Sequence, residues 1–205
     1  MIGVLDYGCG NINSVIRMIE KNGGQARKVG TAAQLSEIDK LIIPGVGAFD
    51  HGMHELKDRD LLKPLDVFAH QRKKPVLGIC LGMQLMCLDS EEGEQQGLGW
   101  ISAHVRRFDT RKTPELKVPH MGWADLKVIR ANHLLPLGEA KVRFYFVHAY
   151  KVEATCTSDV IATATHGEDF VAAFERDNVM GVQFHPEKSH RFGFMLLKNF
   201  MDIPA

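Results

Sequence analysis

The stretch Pro75-Val76-Leu77-Gly78-Ile79-Cys80-Leu81-Gly82-Met83-Gln84 decides how this chain is read. A short unbroken apolar run ends at Cys80, and a helix is predicted directly after it, from Leu81 to Leu88. Strands that are apolar throughout, without alternation, are buried on both faces, as in parallel sheets covered by helices. Gly78 and Gly82 flank Cys80 two residues to either side. This G-x-C-x-G pattern has the steric logic of a nucleophile elbow. A residue on so tight a strand-to-helix turn takes a strained backbone conformation, and its neighbours must be small. The turn lifts the side chain into the cleft at the carboxyl ends of the strands, where open α/β sheets bind ligands. The first N–H groups of the helix favour negative charge on the sulfur, and the N–H of Leu81 is placed to bind an oxyanion. The competing reading of Cys80 is a small buried core residue.

The same alternation extends on both sides of this stretch. Strands are expected at Ile2 to Leu5, Ala26 to Val29 and Lys40 to Ile43. A helix is expected from Asn11 to Asn22, stopped by Gly23-Gly24, and another from Leu61 to Gln71 with a kink or restart at Pro64. Beyond Trp100 the pattern changes to closely spaced strands, which fit antiparallel hairpins. They are predicted at Ser102 to Phe108, Asp125 to Ile129, Val142 to Val147, Val160 to Thr165, Phe170 to Phe174 and Val179 to Phe184. Asp109 to Pro119 is expected to be an exposed loop, and Phe192 to Met201 a closing helix. The whole, residues 1–205, reads as one α/β domain with a mostly parallel sheet and an antiparallel β extension.

A second motif lies near the end, Gly181-Val182-Gln183-Phe184-His185-Pro186-Glu187-Lys188. Pro186 keeps His185 extended, and period-two alternation lets His185 and Glu187 project to one side. A carboxylate there can hold one imidazole nitrogen and leave the other for the nucleophile. The plainer reading is a surface histidine beside a salt-bridging glutamate. A third motif, Pro44-Gly45-Val46-Gly47-Ala48-Phe49, follows a neighbouring strand. Its glycines permit a turn whose N–H groups face a ligand, so Val46 N–H is the expected second oxyanion donor beside Leu81. An ordinary strand-to-helix turn is the competing reading.

Composition narrows the classes. The 25 basic and 25 acidic residues cancel, which speaks against nucleic acid or an anionic membrane as the main partner. The small basic clusters at Arg72-Lys73-Lys74 and from Arg106-Arg107 through Lys112 read first as solvated surface, and the second could also line an interface. Cys9, Cys80, Cys87 and Cys156 form no C-x-x-C pair, so no zinc ribbon or redox pair is expected, and no metal or cofactor. Few unpaired cysteines and no apolar run of membrane-spanning length point to a soluble, cytoplasmic chain with reduced thiols.

Taken together, GICLGMQ, PGVGAF and GVQFHPEKS resemble the class I (triad) glutamine amidotransferases, whose fold is a three-layer, flavodoxin-like sheet. DYGCGNINS from Asp6, VPHMGW from Val118 and YFVHAY from Tyr145 are similar, more narrowly, to the glutaminase subunits of imidazole glycerol phosphate synthases. The likeness runs along essentially the whole chain. It implies hydrolysis of glutamine through a cysteinyl thioester, with ammonia passed to a partner (β/α)8-barrel synthase of histidine biosynthesis. It assigns Cys80 as nucleophile, His185 as acid and base and Glu187 as orienter. It puts Gly45 and Val46 in the oxyanion loop, and Gln84 with the backbone of His148, Ala149 and Tyr150 on the substrate. Pro119, Met121 and Trp123 would face the partner, though Met121 and Trp123 could equally be loop packing. The chain departs from the family at Ala124, where asparagine is common, and at Ala149, where serine is common. Both departures favour a paralogue that feeds ammonia to a sugar-amidating synthase. Two further readings compete with these, a stand-alone cysteine hydrolase and a non-enzymatic scaffold with a relic site.

Overall fold

The computed structural model describes residues 1–111, 115–138 and 141–204. The first half lays down strands β1 (Ile2–Leu5), β2 (Ala26–Val29), β3 (Lys40–Gly45) and β4 (Val76–Cys80). Between them run helices α1 (Ile12–Lys21), α2 (Ala32–Ser36), α3 (Phe49–Asp58) and α4 (Leu62–Asp66), which continues as a π-helical stretch over Val67–Gln71. Helix α5 (Leu81–Leu85) follows β4 without a linker. The second half contributes β5 (Asp89–Ser90), β6 (Ala103–Arg107), β7 (His120–Asp125), β8 (Lys127–Val128), β9 (Arg143–His148) and β10 (Tyr150–Ala154). It ends with β11 (Val160–His166), β12 (Glu168–Arg176), β13 (Val179–Val182) and helix α6 (His190–Asp202).

The main sheet runs β2-β1-β3-β4-β13-β12-β10-β6-β5. Its first five strands are parallel, and β12 then pairs antiparallel with β13. Strand β13 therefore joins the two halves, lying beside β4 with Val182 opposite Ile79. Strands β11 and β8 extend the antiparallel part, and β7 pairs with β9 in a separate ribbon. The mostly parallel sheet with an antiparallel extension is thus as expected.

Side chains alternate across β3 and β4 and feed two cores. Ile42, Leu77 and Ile79 pack with Ile12, Val15, Met18 and Ile19 of α1 and with Leu196, Leu197 and Phe200 of α6. Leu41, Ile43 and Val76 pack on the other face with Phe49, Met53 and Leu56 of α3 and with Leu65 and Phe68. Each such side chain, fully buried, contributes roughly 1.5–3 kcal/mol by removal from water. The helix-sheet-helix layering follows directly from that two-sided burial.

Several boundaries differ from expectation for identifiable reasons. The helix does not restart at Pro64, which sits in the first turn of α4, where its missing N–H has no helical acceptor to serve. Helix α5 stops at Leu85 rather than Leu88, where the chain turns into β5. The strand expected from Asp125 to Ile129 is two pieces, the end of β7 and the short β8. Of the loop expected from Asp109 to Pro119, Lys112, Thr113 and Pro114 lie outside the described residues. No helix among the described residues is long and apolar enough to cross a membrane.

Candidate active site

Cys80 ends β4 with φ 53° and ψ −109°, a conformation rare for a side-chain-bearing residue. The two flanking glycines permit it. A Cβ on Gly82 would stand 1.8 Å from the carbonyl oxygen of Ile43, and one on Gly78 would stand 2.7 Å from the backbone of Gly82. The turn therefore packs backbone on backbone against β3, and the elbow reading of the G-x-C-x-G pattern holds. Gly45 sits opposite Cys80 in the β3–β4 register, buried against Leu81 and the Tyr7 hydroxyl, which donates to Pro44 O at 2.8 Å.

A cavity of about 360 Å³ opens over this turn. Its walls include Val46, Cys80, Leu81, Gln84, Pro119, His148, Ala149, Tyr150 and His185, together with Val147, Gly47 and Glu92. Most of the site residues expected from the sequence are thus brought to one place. Gly45 is the exception on the oxyanion loop: it lies beneath the wall that Val46 and Gly47 form. Of the residues expected to face a partner, Pro119 reaches the cavity. Met121 and Trp123 instead stand on the outer face of β7, 63% and 38% exposed. That exposure excludes the loop-packing reading for Met121.

His185 follows β13, and its N–H bonds to Tyr145 O of β9. Its Nδ1 lies 2.7 Å from Glu187 Oε1, with both side chains almost fully buried. Nδ1–H therefore donates to the carboxylate, which leaves Nε2 as the atom available to the cleft. Nε2 is buried with no protein hydrogen-bond partner among the described residues. Burial alone would drive the imidazole neutral. The neighbouring Cys80 sulfur and the hydrogen-bonded Glu187 carboxylate outweigh it and push the His185 pKa up to about 10.

Two groups in this region escape a reading of the sequence alone. Gln183, fully buried, places Nε2 3.7 Å from Cys80 Sγ and accepts from Gln84 Nε2 at 3.0 Å. It stands two residues before His185, so the same period-two argument that pairs His185 with Glu187 could have found it. The second is His120 on β7. His148 Nδ1–H donates to Tyr150 O at 2.8 Å, so its Nε2 must accept, and it does so from His120 Nδ1–H at 3.1 Å. His120 stacks on His166 with ring centroids 4.2 Å apart. Burial, reinforced by neighbouring histidines, lowers the pKa of His148 to about 3 and that of His120 to about 4. Both rings are neutral. Among the described residues no group of three or more His, Cys, Asp or Glu is arranged to hold a metal ion.

The family model Glutamine amidotransferase class-I matches residues 3–203. The imidazole glycerol phosphate synthase subunit HisH 2 of Pseudomonas aeruginosa is 44% identical over 203 residues, covering 99% of this chain and all of the relative. The HisH subunit of Leptospira interrogans is 42% identical, with 99% of this chain and all of that one covered. Among solved structures, a glutamine amidotransferase superposes with a TM-score of 0.76 at 19% identity, covering 98% of this chain and 97% of its own. The PurLQS structure from Thermotoga maritima superposes with a TM-score of 0.73 at 20% identity, covering 98% and 96%. At those identities the structures speak for the fold alone.

Proposed function

This chain belongs to the class-I glutamine amidotransferase family, and from that premise we propose that it is the glutaminase subunit of an imidazole glycerol phosphate synthase. In this reading it works in the cytoplasm as one half of a heterodimer and delivers ammonia to a (β/α)8-barrel synthase. The observation that carries the chemistry is the meeting of the strained Cys80 turn and His185, itself held by Glu187, at one cavity.

The steps follow from the groups present. The Cys80 thiolate attacks the side-chain amide carbon of glutamine, and the carbonyl oxygen becomes an oxyanion over the N–H groups of Leu81 and Val46. Each such donor is worth roughly 3 kcal/mol in the transition state. His185, protonated beside Glu187, gives its Nε2 proton to the leaving nitrogen, and the C–N bond breaks to release ammonia. A thioester remains, and the sulfur no longer carries charge. His185 thereby loses much of what held its proton, which frees it to act as a base toward water. The resulting hydroxide adds to the thioester carbon, and collapse of the second tetrahedral intermediate expels the thiolate and leaves glutamate. One imidazole serves as acid and then base because the charge beside it changes between the two halves.

Gln84 and the backbone of His148, Ala149 and Tyr150 line the space for the substrate's amino-acid end. Pro119 connects the cavity to the face that bears Met121 and Trp123, where the synthase would dock and draw off ammonia. A second reading keeps the hydrolysis and changes the acceptor to a sugar-amidating synthase. It is favoured by Ala149, which lines the cavity without the hydroxyl common in the family.

The deciding experiment uses Cys80→Ala in complex with the barrel synthase. Glutamine-dependent product is expected to vanish while ammonium salts still support synthesis. A variant complex that uses neither nitrogen source, or one that still uses glutamine, overturns the proposal. Turnover with the histidine-pathway partner, against none with a sugar-amidating one, separates the two acceptors.

A further inference from the structure

The amide of Gln183 has only one orientation consistent with its neighbours. The fixed point is the carbonyl of Tyr150, which can only accept. Gln84 Nε2 donates to it at 3.2 Å and must therefore also donate, at 3.0 Å, to Gln183 Oε1. That leaves the Gln183 NH2 facing the Cys80 sulfur at 3.7 Å. The same Tyr150 carbonyl holds His148 Nδ1–H, and His148 holds His120. Every donor from His120 to the sulfur is set by its neighbour, and Gln183, at 0% exposure, has no room to turn away.

We propose that Gln183 is a positioning residue for the nucleophile: its amide N–H holds the Cys80 sulfur toward the cavity and stabilises it as thiolate. An amide donor bonds an anionic sulfur more strongly than a neutral thiol or thioester sulfur. The contact therefore favours the free thiolate before attack and again when the thiolate is expelled from the second intermediate. The inference deepens the glutaminase reading and rests on Cys80 being the nucleophile.

The test reads the sulfur directly, without glutamine. In the full chain carrying Cys156→Ser, which removes the exposed competing thiol, iodoacetamide alkylation of Cys80 is followed by peptide mass spectrometry at neutral pH. Circular dichroism checks the fold. Gln183→Met, of similar shape without a donor, is expected to slow alkylation about tenfold, and the ultraviolet thiolate absorbance should fall with it. Gln183→Glu keeps an acceptor for Gln84 but sets a carboxylate against the sulfur, and is expected to slow alkylation further still. If Gln183→Met does not fold, Gln183→Asn, which withdraws the amide, takes its place with the same expected fall.

Alkylation at the wild-type rate in a folded Gln183→Met or Gln183→Asn protein overturns the inference. So does a Gln183→Glu protein that reacts faster than Gln183→Met, since that would mean Gln183 serves only to hold Gln84. A wild-type complex that turns over no glutamine, combined with slowed alkylation in the variants, would remove the glutaminase reading and leave the role of Gln183 standing.

Discussion

Replacing Glu187 with glutamine keeps the shape of the side chain and removes its charge. Glu187 Oε1 lies 2.7 Å from His185 Nδ1, and its side chain is only 3% exposed, so solvent does little to screen the pair. A hydrogen bond to a charged partner is worth roughly 1.5–3 kcal/mol, against about 1 kcal/mol for a neutral one, so the imidazolium loses about 1–2 kcal/mol. The second oxygen, Oε2, is buried with no partner among the described residues. An amide NH2 in that place would be an unsatisfied donor, and turning it round would set a donor against Nδ1–H. Either arrangement adds to the loss. A total of about 2 kcal/mol corresponds to a fall of roughly thirtyfold in kcat. The assay is steady-state glutamine hydrolysis in the complex with the synthase and its nucleotide substrate. The KM for glutamine should hold, because Glu187 acts on the base and not on the bound substrate. A variant with wild-type kcat, or one whose whole defect lies in KM, would refute the assignment of Glu187 as the orienter.

Gly82→Ala should be among the most damaging small substitutions in the chain. Its Cβ would meet the Ile43 carbonyl at 1.8 Å, and backbone on both sides leaves only separation of α5 from β3. A loss of at least about 1–3 kcal/mol is expected, read as a lowered Tm by calorimetry together with lost glutaminase activity; an unchanged Tm would mean the turn has slack. Acid should weaken the fold through His148 and His120. Their folded pKa values, about 3 and about 4, lie below the ordinary 6.5, so the unfolded chain takes up protons first and stability declines as pH falls below 6.5. A His148→Gln variant should show a smaller drop in urea midpoint between about pH 7.5 and about pH 5 than wild type, and an equal drop would contradict neutral burial of that ring. Trp123→Ala is expected to weaken synthase binding about tenfold or more by calorimetry while leaving Cys80 alkylation unchanged. An unaltered affinity would move the interface elsewhere.

The parts legible in the sequence are those where one physical constraint dominates. Val76 to Cys80 reads as a strand because every residue is buried, and the elbow reads because only glycine fits at 78 and 82. Helix α3 is absent from the expected elements although Phe49, Met53 and Leu56 recur at helical spacing, because Gly52 falls among them and lowers the helical propensity of the stretch. Strand β7 is hidden for a different reason. Apart from buried His120, its outward face is exposed and Gly122 breaks its pattern, so no apolar alternation announces it. Period-two alternation leads from His185 back to Gln183, but the partners that give Gln183 and His120 their importance arrive from other elements, which local periodicity cannot supply.

The placement of β13 between β4 and β12 has a consequence for how the protein comes into being. Its nucleophile is synthesised in the first half of the chain, yet the imidazole and carboxylate that would arm it follow the last strand of the fold. In a fragment ending before β13 the two parts of the sheet have no strand to join them. If Cys80 and His185 act as proposed, such a fragment would carry the sulfur without its base, so that closing the last seam of the sheet and completing the site would be one event.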